Sequence, residues 1–161
     1  AAGNAPPLRE MLDQGVPVGA GSDATRVSSY NPWTALSWLV SGRSVGGAPL
    51  LNEGNRLTRE EALRLYTLGS AWFSGEEQRK GRIAPGQFAD FALLSEDYFS
   101  VPEDRIASIE SHLTVVGGRV VYGAGEFSGL TPHLPPVSPA WSPVTRYRGH
   151  WPANDTDNTK Q

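Results

Sequence analysis

Asp23 is the residue whose type and position most readily suggest chemistry. It closes the run Val16-Pro17-Val18-Gly19-Ala20-Gly21-Ser22-Asp23, a short apolar stretch rich in valine and small residues that ends in turn chemistry. Just upstream, Leu8 to Gln14 carries apolar positions at helical spacing and stops at Gly15. A helix, a one-residue break and a short buried strand read as one αβ step of a parallel α/β fold. In α/β barrels the C-terminal rim of the strands gathers catalytic groups, because the loops there converge on one mouth. A carboxylate at that rim can ligate a divalent metal or take a proton from metal-bound water. Gly-Ser-Asp is equally a common turn sequence, in which the Asp side chain caps the following turn. Spacing leaves both readings open.

Other candidates are weaker. His112, His133 and His150 have no near partner of the His-x-His kind, so they read as surface or packing histidines. No Gly-x-Ser-x-Gly elbow is present. Ser28, Ser29, Tyr30 and Asn31 follow Asp23 closely enough to touch a substrate, and Trp33 is near enough to line the same mouth. Trp33, Trp38 and Trp72 read first as core residues. Glu60 and Glu61 suit the first turn of a helix, where they complement its dipole. Glu76, Glu77, Arg79 and Lys80 read as a solvated link.

The elements that must position these residues are legible in part. Asn31 suits an N-cap and Pro32 a first helical position, ahead of an apolar stripe of Trp33, Leu36, Leu39 and Val40. Residues 41–55 are glycine-rich and read as a loop. Thr58-Arg59-Glu60-Glu61 forms a capping box, and Ala62, Leu63, Leu65, Tyr66 and Leu68 extend a helix to about Phe73. Past Gly81 the pattern turns to β. Pro85-Gly86 is a turn, 89–95 a strand and 101–109 a short helix. Leu113 to Val116, Gly117-Gly118 and Arg119 to Tyr122 make a hairpin. From Gly129 the chain is proline-rich, with Trp141, Tyr147 and Trp151, and reads as an extended arm, residues 153–161 being polar and disordered. The expected divisions are 1–80, 81–128 and 129–161.

Composition narrows the function. The 161 residues carry a net charge of −3, with 39% apolar residues and no cysteine. Disulfides, thiolate metal sites and a Cys nucleophile are therefore excluded. No basic stripe points to nucleic acid, and no run approaches the roughly 20 apolar residues of a membrane helix. At 161 residues the chain is too short for a closed eight-stranded barrel. Its first residue is Ala1 rather than Met, as expected of a fragment, a processed product or a truncated form.

Several motifs in order resemble one family. Residues 16–23 resemble the eighth barrel strand of amidohydrolases, in the amidohydrolase 3 or YtcJ-like branch. Leu57-Thr58-Arg59-Glu60-Glu61-Ala62-Leu63-Arg64-Leu65-Tyr66-Thr67 looks like the helix that follows. Lys80-Gly81-Arg82-Ile83-Ala84-Pro85-Gly86-Gln87-Phe88-Ala89-Asp90-Phe91-Ala92-Leu93-Leu94 is similar to the family's KGxIxPGKxADxxxL segment. Thr114 to Tyr122 resembles its closing hairpin. The likeness covers roughly residues 8–123.

The resemblance implies α/β plus β architecture: the last strand and helices of a TIM-type metal-hydrolase barrel, followed by the C-terminal strands of a small β-sandwich. It implies hydrolysis of C–N bonds, mostly amides, with zinc or a similar divalent ion. It carries the family's eighth-strand aspartate onto Asp23, as metal ligand and as acceptor of the proton from the attacking water. The family's His-x-His, its bridging Lys or Glu and its two later metal histidines have no counterparts here. The chain alone is thus expected to hold no metal and to be inactive. The expected partners are a small-molecule substrate in the full-length protein, and the missing N-terminal segment or a second copy covering the open strand. Two other readings compete: a non-catalytic structural or oligomerisation module, and a small independent hydrolase pairing Asp23 with His112, His133 or His150.

Overall fold

Capping chemistry sets the helices, and the computed structural model describes them within residues 5–24 and 29–133. Helix α1 spans Leu8–Asp13 and ends where Gly15 takes a left-handed φ of 71°. Helix α2 spans Pro32–Ser41, with the Asn31 side chain accepting the Trp33 N–H at 3.0 Å. Helix α3, Arg59–Arg64, opens on the expected capping box: Thr58 and Glu61 exchange side-chain and backbone hydrogen bonds. It runs without a break through a π turn at Leu65–Gly69 into α4, Ser70–Phe73. Short 3-10 turns occupy Glu53–Asn55, Glu103–Ser108 and Gly125–Leu130.

The sheet is three-stranded and antiparallel, in the order β1 (Phe91–Leu94), β2 (Ser111–Val116), β3 (Arg119–Gly123). Phe91 faces Val115 across the first pair, and Val116 faces Arg119 across the second. The β2–β3 turn is Gly117-Gly118, with φ of 57° and 76°. Two consecutive left-handed residues are what a tight hairpin with the right twist requires. The described residues form one sheet layer, and it leaves Phe91, Leu93, Val116 and Tyr122 exposed.

The core joins helices to the β-rich half. Leu36 and Val40 of α2, Leu57, Ala62 of α3 and Leu65 pack with Tyr98, Val101, Ile106 and Ile109. Two ties reinforce that union. The Arg59 guanidinium donates to the carbonyls of Tyr98 and Val101, and the Tyr98 hydroxyl donates back to the Arg59 carbonyl at 3.0 Å. Gly81 marks the change from helix to sheet, while the apolar cluster draws on residues from both sides of it. Residues 1–131 make one compact unit; of the second, from Pro132, only Pro132 and His133 lie among the described residues.

The expected parallel strand is not formed. Residues 16–20 form no strand, and the described residues contain no parallel pairing. A strand exists through its neighbours, because its backbone N–H and C=O groups need partners across a ladder. The described residues offer residues 16–20 no such neighbour, so the segment lies against the helix instead. Val18 and Ala20 are half-buried against the core, whereas Val16 is exposed. The proline-rich arm beyond His133, including His150, lies outside the described residues, as does Ser28.

Candidate functional site

Asp23 sits at the end of that segment, exposed, with a left-handed φ of 48°. It is the one non-glycine residue with positive φ among the described residues. Asp tolerates this conformation better than most side chains, since its short polar group can bond locally.

The segment leading to Asp23 is held by the π turn. Inside a π turn the bonding shifts from i+4 to i+5, and here the Ser70 N–H reaches back to the Leu65 carbonyl. That carbonyl also accepts the Ala20 N–H at 3.0 Å. The Ser70 hydroxyl donates to the Ala20 carbonyl at 2.8 Å and lies 3.0 Å from the Leu65 oxygen. Both backbone groups of Ala20 are thus paired to one turn of helix. Packing is tight around them: a Cβ on Gly69 would overlap the Val18 carbonyl oxygen, and one on Gly19 would lie 2.8 Å from Phe73 Cδ2. The sequence carries a signal for this, since Gly69-Ser70 interrupts an otherwise strongly helical pattern.

The other sequence candidates scatter. Trp33 is half-buried and packs on Tyr98, ring centroids 5.5 Å apart at 48°. Asn31 is buried and serves as the cap of α2, its own N–H donating to the Ser29 hydroxyl at 3.1 Å. Tyr30 is exposed. Trp38 is half-buried, and Trp72, half-exposed, meets Phe73 edge-on at 5.0 Å. His112 lies in β2, where its carbonyl accepts the Ala124 N–H at 2.8 Å, and His133 is exposed. Glu60 pairs with Arg64, and Glu76 with Lys80.

A hard divalent ion suits a carboxylate such as Asp23, but a catalytic site normally uses three or more protein ligands. The described residues bring together no group of three or more His, Cys, Asp or Glu side chains able to hold an ion. They do not, by themselves, fit the metal that the resemblance implies.

A helix-rich half closed by a small antiparallel sheet, with one aspartate at the end of an apolar segment, meets its sequence relatives at this point. The amidohydrolase family profile matches residues 1–122, and the chain belongs to that family. Among curated sequences it is 33% identical over 116 residues to the putative amidohydrolase YtcJ of Bacillus subtilis, covering 71% of this chain and 22% of that protein. It is 32% identical to an N-substituted formamide deformylase of Arthrobacter pascens, over 72% of this chain and 21% of that protein. An imidazolonepropionase of Porphyromonas gingivalis is 28% identical, over 72% of this chain and 25% of that protein. The chain therefore spans about a fifth to a quarter of the length of these relatives. No solved structure matches it. No helix among the described residues is long and apolar enough to cross a membrane.

Proposed function

We propose that this chain is the C-terminal portion of a metal-dependent hydrolase that acts on C–N bonds of the amide type. Its contribution to the active site is Asp23, as catalytic and metal-binding residue of an ion that is zinc or a similar divalent cation. The remaining ligands come from the barrel segment upstream, and the chain alone is inactive. The observation that carries this reading is the place of Asp23, exposed at the end of an apolar segment, in a chain that belongs to the amidohydrolase family.

Two surfaces support the same reading. An apolar cleft lined by Leu12, Val16, Val18, Leu65, Leu68 and Trp72 lies between the segment and the helix, a surface that further barrel elements would cover. The sheet face bearing exposed Phe91 and Leu93 fits the inner layer of a sandwich completed by other strands. The partner of both surfaces is the N-terminal segment of the same polypeptide, or a second copy when that segment is absent.

The test compares this chain with the polypeptide extended upstream. Zinc content by mass spectrometry and hydrolysis of a panel of N-substituted formamides and simple amides are measured in both. Metal and activity are expected only in the extended form, and both are expected to fall in its Asp23→Ala variant. Full activity of that variant would sink the assignment of Asp23.

A further inference from the structure

We propose that Ser70 is a positioning residue for Asp23: its hydroxyl, with the π turn it closes, locks the register of the segment that presents the aspartate. This rests on the reading of Asp23 given above, and it names residues that the motif pattern does not. The Ser70 side chain donates to the Ala20 carbonyl at 2.8 Å, and the Leu65 carbonyl accepts the Ala20 N–H at 3.0 Å. Ala20 stands three positions before Asp23, so fixing both its backbone groups fixes where the next turn begins. Residues 16–20 have no strand ladder to hold them among the described residues, so this latch replaces one. Gly69 completes it by close approach rather than by backbone freedom. Its φ is an ordinary helical −61°, yet a side chain there would strike the Val18 carbonyl.

A π turn makes this arrangement possible. In an uninterrupted α-helix the Leu65 carbonyl would be taken by the residue four positions on and shielded by the next turn. Widening the helix by one residue opens that carbonyl to a partner from another segment. It also carries a hydroxyl to the same spot, so one point of the helix offers an acceptor and a donor to one peptide unit.

The experiment is run on the chain itself by NMR. Amide exchange at Ala20, and the Asp23 coupling and Cα shift that report left-handed backbone, are compared in Ser70→Ala, Ser70→Thr and Gly69→Ala. Ser70→Ala is expected to speed Ala20 exchange at least tenfold and average the Asp23 signals, with core amides around Ile106 unchanged. Ser70→Thr, which keeps the hydroxyl, is expected to restore both. Gly69→Ala is expected to behave like Ser70→Ala. Unchanged Asp23 signals in Ser70→Ala overturn the proposal. In the upstream-extended polypeptide, Ser70→Ala is expected to lower kcat at nearly constant KM, with recovery in Ser70→Thr. Should Asp23→Ala keep full activity while the NMR result holds, the functional reading fails and the latch stands.

Discussion

Arg9 of α1 grips Glu61 of α3 with both guanidinium arms, Nη1 to Oε1 at 2.6 Å and Nη2 to Oε2 at 2.8 Å. Arg9 also donates to the Arg56 carbonyl, and its backbone N–H donates to the Asn55 side chain, so α1 is fastened across some fifty residues of sequence. The Arg9 guanidinium, helped by the Thr58 N–H and hydroxyl, holds the Glu61 carboxyl down at about 2.

The consequence for acid stability has a definite sign. A carboxyl whose pKa is depressed on folding stabilises the protein above its unfolded value of 4.5, and the gain is lost as pH falls toward 2. Glu61→Gln is expected to cost about 1 kcal/mol at pH 7, since a bidentate pair at a helix start outperforms an ordinary surface pair. Urea unfolding should show that difference shrinking between pH 4.5 and pH 2. A difference independent of pH would assign the loss to packing instead.

Tyr98 predicts the opposite limb. Burial pushes its phenol from 10 up to about 12, against a small opposing influence of Arg59. The folded state then holds the proton more tightly, so this contribution is full below pH 10 and lost as pH rises through 12. Tyr98→Phe should flatten the alkaline limb of stability. At neutral pH it should cost about 1 kcal/mol for the lost bond to the Arg59 carbonyl. Tyrosinate absorbance across the titration, read beside unfolding curves, checks both.

Ile106 tests whether the two halves share one core. It is fully buried, within a cluster that includes Leu36 and Val40 of α2. Ile106→Ala should cost about 2–5 kcal/mol. Loss of helical circular dichroism and of the NMR amide signals of β2 and β3 should coincide in one transition. Separate transitions would show that the helical half stands without the β-rich half.

The Gly117-Gly118 turn gives a sharper local test. Valine at either position should cost about 1–3 kcal/mol, because a β-branched residue is forced into left-handed backbone. Asn at Gly117 should be far milder, as Asn accepts this conformation. Thermal unfolding ranks the variants, and a cost equal for Val and Asn would count against the turn geometry.

The readable parts of the fold are those set by neighbours in sequence. Thr58 and Glu61 form their capping box three residues apart, Asn31 and Pro32 start a helix side by side, and Gly117-Gly118 turns a hairpin alone. The apolar run at 16–20 looked like a strand because period and composition report burial, not pairing. Trp33 was legible as a core residue, but its partner was not, because Tyr98 stands 65 positions later. Asp23 was legible as a candidate from its position after an apolar run. The latch on Ala20 was not, because it depends on Leu65 and Ser70 meeting a residue about fifty positions away.

The single extra residue in the helix is also a length reserve. Each α-helical residue turns the chain by about 100°, yet the π turn at Leu65–Gly69 absorbs one residue without passing that rotation on. Deleting one position there would leave a regular α-helix with Trp72 and Phe73 on their present side of the rod, and the loss would fall on the bonds that reach Ala20.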